Sequence, residues 1–250
     1  MQETMRSFAS DNNSGVHPLV MEALNRANID HSLGYGDDKW TEEAVAKIKE
    51  IFTPDCVPLF VFNGTGSNVV ALQVMTRPYH SIFCAETAHI YVDECGSPVK
   101  MTGCQIRPIA TPDGKLTPDL VRPYLCHFGE QHHSQPGAIY ISQCSELGTV
   151  YKPNELRALT DLAHRHGMYV HMDGARLANA CAALNLGFRE LTVDCGIDIL
   201  SFGGTKNGLM LGESVVVFNP ALKKEAYFVR KQSAQLASKL RYLSCQFTAY

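Results

Sequence analysis

Short apolar runs alternate with longer segments of helical spacing along the chain, a pattern that predicts a mostly parallel sheet covered by helices on both faces. Strands are expected at 58–63, 81–84, 138–143, 168–172, 197–201 and 214–219, with helices at 68–75, 153–166 and 175–184 between several of them. Pro153 is placed to open its helix, where no N–H is needed, and Gly167 to close it, where the backbone turns left-handed. The segment from 220 to about 243 reads as one long helix, with Lys223, Lys224, Arg230, Lys231, Lys239 and Arg241 on a solvated face. No repeat or low-complexity linker interrupts the pattern, so 250 residues at 45% hydrophobic content are expected to form one large domain.

Three loops that follow predicted strands carry candidate chemistry. The strand at 58–63 runs into Gly64-Thr65-Gly66-Ser67 and a helix, a turn that offers backbone N–H groups to a phosphate. An ordinary strand-to-helix turn has the same pattern. In Tyr169-Val170-His171-Met172-Asp173-Gly174-Ala175-Arg176 an apolar strand ends in an acid, which serves either as a helix cap or as the partner of a protonated pyridine nitrogen. In Ser201-Phe202-Gly203-Gly204-Thr205-Lys206-Asn207-Gly208 a lysine stands among glycines that let a planar group approach the backbone. Taken alone, Lys206 reads as a solvated loop residue. Asp173 and Lys206 nevertheless end successive strand-like runs, and parallel strands bring both to one sheet edge, where ligands bind. An amine and an acid so placed point to pyridoxal phosphate, whose aldehyde condenses with a lysine.

With these segments in view, the chain resembles the low-specificity L-threonine aldolases of the aspartate-aminotransferase-like fold, known as fold type I. The likeness includes Phe8-Ala9-Ser10-Asp11-Asn12-Asn13-Ser14-Gly15, Tyr35-Gly36-Asp37-Asp38, Phe62-Asn63-Gly64-Thr65-Gly66-Ser67-Asn68 and Glu86-Thr87-Ala88-His89. It continues through Glu146-Leu147-Gly148-Thr149-Val150-Tyr151, the Asp173 and Lys206 segments, and Lys231-Gln232-Ser233-Ala234-Gln235-Leu236-Ala237-Ser238-Lys239, in matching order and spacing.

The resemblance implies a role for each matching residue. Lys206 carries the cofactor, Asp173 protonates its ring nitrogen, and Gly64, Thr65 and Gly66 bind its phosphate. His89 stacks on the cofactor ring and helps take the β-hydroxyl proton. His133 lies near the substrate hydroxyl, with adjacent His132 as the alternative. Arg176, expected one turn into the helix after Asp173, contacts the cofactor's phenolic oxygen and the substrate carboxylate, which Ser10 also contacts. Tyr35 stands in a loop that reaches a neighbouring subunit's site, which implies a homodimer or homotetramer with sites near subunit interfaces.

Composition narrows the surroundings. A net charge of −3 leaves no footprint for nucleic acid or an anionic membrane. Met1-Gln2-Glu3-Thr4-Met5-Arg6 lacks the apolar stretch of a signal peptide, and no run approaches the ~20 apolar residues of a membrane span, so a cytoplasmic protein is expected. Without a secretory route the sequon Asn63-Gly64-Thr65 carries no glycan. Nine cysteines without a CxxC pair read as buried, reduced thiols. His127, His132 and His133 lie close together but lack ligands at regular spacing, so no metal is assigned.

The expected activity is retro-aldol cleavage of L-threonine, L-allo-threonine and other L-β-hydroxy-α-amino acids to glycine and an aldehyde. Relatives of the resembled family continue into a smaller carboxyl-terminal domain. Residues 1–250 therefore read as an amino-terminal arm plus the large cofactor-binding domain, with the small domain absent. Two further readings fit the same residues: another reaction of the same cofactor, β-elimination or transamination, and a cofactor-binding remnant without turnover.

Overall fold

The strands that carry the candidate residues are buried at nearly every position, so both of their faces are covered. In this computed structural model residues 7–249 are described; Met1–Arg6, read above for the lack of a signal peptide, and the terminal Tyr250 lie outside them. The strands β1 (Val57–Val61), β2 (His80–Ala85), β3 (Gln105–Ile109), β4 (Gln135–Ser142), β5 (Tyr169–Gly174), β6 (Ile199–Phe202) and β7 (Glu213–Val217) form one sheet. Its order is β1-β7-β6-β5-β4-β2-β3. β7 runs antiparallel to both neighbours, and the remaining pairs are parallel. The mostly parallel sheet expected from the sequence is therefore the one found.

Side chains of successive strand residues point to opposite faces, so each face has its own core. Phe60, Phe83, Ile139, Ile141, Val170 and Leu200 pack on one side. That side is covered by α1 (Pro18–Ala27), α2 (Lys39–Ile51), α6 (Pro118–Val121), α7 (Pro153–Arg165), α8 (Leu177–Leu184) and α10 (Arg241–Ser244). Leu59, Ile82, Ala138, Tyr140, Ile199 and Val215 pack on the other. There α3 (Gly64–Met75) and α9 (Lys223–Gln232) lie against the sheet, α5 (Ser97–Thr102) packs on α3, and α4 (His89–Val92) adds Ile90 to the core. α3 is apolar nearly all round because it is sandwiched between the sheet and α5 and α9.

Several expectations are corrected. The long helix from 220 onward is broken: α9 ends at Gln232, Ala234 turns left-handed at φ 58°, and the chain re-forms a helix only at Arg241. The break turns Gln235 inward, where its Oε1 accepts the Phe62 N–H at 3.0 Å. The basic face is not wholly solvated, since Arg230 is buried. α8 begins at Leu177, two residues later than its pattern predicts. β3 has no counterpart in the sequence reading, because its residues are mostly half-exposed at the sheet edge and include Pro108. All nine cysteines are free, but Cys95 and Cys126 are exposed rather than buried because they lie outside the packed layers. No helix among the described residues is long and apolar enough to cross a membrane.

Candidate active site

β5 and β6 are parallel neighbours with Asp173 opposite Ser201, so their carboxyl ends share one edge of the sheet. Lys206 follows β6 in a short 3-10 turn, Thr205–Asn207. β1 points the same way as β6, since each is antiparallel to β7, and its end delivers the start of α3 to that edge. A cleft of about 250 Å³ opens there, with Gly64, Thr65, His89, Asp173, Arg176 and Lys206 among its lining residues. Close backbone approach fixes the lysine turn: a side chain on Gly203 would run into the backbone of Ala175. Asn207 Nδ2 donates to Ala175 O at 3.0 Å and to Gly203 O at 3.1 Å, stapling the turn to the segment after Asp173. Lys206 itself makes no hydrogen bond or salt bridge among the described residues.

Asp173 is held by three donors. Ala175 N reaches Oδ1 at 2.9 Å, while Asn68 Nδ2 at 2.9 Å and Tyr140 Oη at 2.7 Å reach Oδ2. Burial pushes this carboxyl up, but the three hydrogen bonds outweigh it and hold Asp173 below the ordinary carboxylate range. Beneath it the fully buried His171 is driven down to about 4 by desolvation, so it is neutral where it contacts Ser201 Oγ at 3.0 Å.

At the start of α3 the N–H groups of Gly64 and Thr65 have no acceptor within the helix, as for any first turn. The Gly66 N–H is taken by Asn63 Oδ1 at 2.7 Å, and the Gln235 side chain packs over its Cα.

Arg176 caps α8 instead of standing one turn inside it, because its backbone has left the helical region at φ −126° and ψ 28°. Its guanidinium grips Asp11 bidentately, Nε to Oδ2 at 2.7 Å and Nη2 to Oδ1 at 3.1 Å. The amino-terminal segment is thereby drawn to the cleft, which Asn12 lines. Ser10 is adjacent but spends its Oγ on the Asn12 N–H.

His89 lines the cleft with its Nδ1 2.9 Å from Glu94 Oε1. That contact raises its pKa above the usual histidine value, against the opposing effect of burial. Glu213, at the start of β7, accepts the Gly204 N–H at 2.6 Å, and burial pushes its carboxyl up from the ordinary 4.5 to about 7. An acid with a raised pKa contributes full stability below its unfolded pKa and loses it as pH rises through the folded one. Glu213→Gln is accordingly expected to stabilise the protein by on the order of 3 kcal/mol near pH 8, and by little near pH 5. Thermal unfolding of both proteins at the two pH values checks this, and an equal shift at both would contradict it.

Two expected residues are not brought to this cleft. His133 precedes β4, whose other end carries Ser142, so about eight residues at about 3.3 Å each, roughly 25 Å, separate it from the cleft. His132 is displaced with it. The His133 ring stacks on His127 at 3.9 Å with planes 12° apart, and Glu130 Oε2 lies 3.3 and 3.4 Å from the two. These three residues have metal-ligand spacing, but parallel stacked rings direct their nitrogen lone pairs along parallel planes and not toward one ion. Tyr35 is also outside the cleft, exposed at φ 61° with Lys231 Nζ 5.1 Å from its ring centre.

The sequence reading missed Asn68, Glu94, Tyr140, Asp11 and Glu213. The available signal is a polar group beside an apolar run: Asn68 directly precedes the apolar residues 69–72, and Tyr140 stands between Ile139 and Ile141.

The sequence model of the family described as beta-eliminating lyase matches residues 7–244. The chain is 42% identical over 245 residues to a low specificity L-threonine aldolase of Pseudomonas aeruginosa, a match covering 98% of this chain and 71% of that protein. Among solved structures it resembles the threonine aldolase of Leishmania major with a TM-score of 0.91 and 32% identity, over 97% of this chain and 71% of the other. An aspartate aminotransferase of Thermus thermophilus shares the fold, with a TM-score of 0.69 at 14% identity over 95% and 62% of the two chains.

Proposed function

Because the chain belongs to the beta-eliminating lyase family, we propose that it is a pyridoxal-phosphate-dependent lyase that cleaves L-threonine and related L-β-hydroxy-α-amino acids to glycine and an aldehyde. The observation that carries this reading is the buried, ionised Asp173 sharing one cleft with the unpaired amine of Lys206. The donor set fits the cofactor: a carboxylate for the ring nitrogen, an amine for the aldehyde, and the free N–H groups of Gly64 and Thr65 at a helix start for the phosphate. Bound there, pyridoxal phosphate supplies an electron sink for the electrons of the breaking Cα–Cβ bond.

The chain's own residues supply the rest. Arg176 offers a planar guanidinium to the substrate carboxylate and keeps Nη1 free while Asp11 holds its other edge. Cleavage requires the β-hydroxyl to lose its proton as the bond breaks, and His89 is the imidazole in the cleft able to accept it. Cα then gains a proton to complete glycine.

The products separate this reading from other reactions on the same scaffold. Retro-aldol cleavage of L-threonine yields acetaldehyde and glycine in equal amounts, whereas β-elimination yields 2-oxobutanoate and ammonia. Glycine as the major product is expected, and 2-oxobutanoate as the major product would overturn the assignment.

Residues 1–250 are read as an amino-terminal arm and the large cofactor-binding domain. A homo-oligomer is part of the proposal, supported by the exposed Tyr35 ring, which has no place in its own subunit's cleft. The nine free cysteines accord with a cytoplasmic location.

A further inference from the structure

We propose that Glu94 is a positioning residue for the reaction: it holds His89 with a proton on Nδ1, leaves Nε2 as the acceptor for the cleft, and is wired through Asn68 to Asp173. The four-residue helix α4 brings Glu94 back beneath His89, and the turn after it is tight, with Cys95 at φ 50° and Gly96 at φ 68°. The Glu94 side chain is wholly buried, whereas that of His89 is 36% exposed. Glu94 Oε1 lies 2.9 Å from His89 Nδ1 and accepts Asn68 Nδ2 at 2.8 Å, while Oε2 has no hydrogen-bond partner among the described residues.

A carboxylate buried this deeply is costly unless charge or hydrogen bonds compensate it. Among the described residues it has one amide donor and one imidazole, so the proton belongs on Nδ1 and the remaining nitrogen, Nε2, is left as the acceptor. The orientation of Asn68 is fixed independently, because its Oδ1 accepts Ser201 Oγ at 3.0 Å. Its single Nδ2 then bridges Glu94 Oε1 and Asp173 Oδ2, at 2.8 and 2.9 Å. His89 therefore shares one hydrogen-bonded chain with the acid assigned to the cofactor's ring nitrogen.

The charged groups that face His89 come from four segments. They are Glu94 after α4, Asp173 on β5, Lys206 after β6, and Glu146 after β4, whose Oε1 accepts the His89 backbone N–H at 2.9 Å. Glu94 contributes the largest effect and raises the pKa of His89. Asp173 adds in the same direction, and Lys206 opposes.

The test is the histidine titration of the full chain by NMR, without and with pyridoxal phosphate, in wild type and Glu94→Gln. Glutamine keeps an oxygen for Asn68 and Nδ1 but removes the charge. The His89 midpoint is expected to fall by about one pH unit, a tenfold loss of proton affinity. The acidic limb of kcat/KM for L-threonine should move to lower pH with it, while kcat falls and KM holds. Glu94→Asp keeps the charge, so its midpoint is expected to stay nearer wild type. A midpoint unchanged in Glu94→Gln, or equal in the two variants, would overturn the proposal. It rests on the lyase reading for the role of His89, yet the titration itself needs no turnover. A chain that leaves threonine intact but shows the shift refutes that reading alone.

Discussion

Lys206→Ala is expected to lower kcat for L-threonine by about three orders of magnitude or more, which is roughly 4 kcal/mol or above of lost transition-state stabilisation. Lys206 is the amine of the cleft, and Thr205 and Asn207 beside it bring none to replace it. Its removal should hardly touch the fold. Among the described residues Lys206 has no hydrogen bond or salt bridge to lose, so no buried group there is left unsatisfied, and the change in unfolding free energy should stay within about 0.5 kcal/mol. Activity and thermal unfolding measured on the same preparation separate these effects. A comparable loss of stability would mean that the lysine is structural.

Asp173 should behave differently, because it holds both the chemistry and the fold. Its two oxygens accept Ala175 N, Asn68 Nδ2 and Tyr140 Oη, so Asp173→Ala strands three donors inside the protein. At about 1–3 kcal/mol for each unsatisfied group, several kcal/mol of stability are at stake, less whatever water entering the cleft restores. Asp173→Asn keeps the shape, but its amide presents hydrogens to donors and carries no charge for a ring nitrogen. Turnover is expected to fall by about a hundredfold or more, with weaker retention of pyridoxal phosphate on dialysis. Wild-type turnover in Asp173→Asn would remove Asp173 from the proposed machinery.

The contrast between these residues also shows what the sequence reveals. Asp173 and Lys206 were legible because each comes after an apolar run, and parallel strands deliver the residues at their carboxyl ends to a common edge. The same rule places His133 on the far side, since it precedes its strand, and there the family likeness pointed away from what position alone says of this cleft. Glu94 and Asn68 are separated by 26 residues and Asn68 and Asp173 by 105, and no local spacing announces that one amide bridges two acids. Arg176 is legible by its place after Asp173, but its position at the helix cap is not, because the turn after β5 continues to Arg176 before helical hydrogen bonding begins. The break after α9 was hidden for a related reason. Its periodicity continues through Ala234, and the turn is held by long-range contacts, Gln235 against Phe62 and Gly66 and Ser233 Oγ on Gln73 Oε1.

The central claim is that this cleft cleaves the Cα–Cβ bond of a β-hydroxy amino acid, and acetaldehyde release from L-threonine tests it most directly. The 250-residue chain is supplied with pyridoxal phosphate, and Lys206→Ala serves as the blank. Acetaldehyde above the blank, matched by equimolar glycine, is the predicted result. No release above the blank from folded, cofactor-loaded protein would contradict the account.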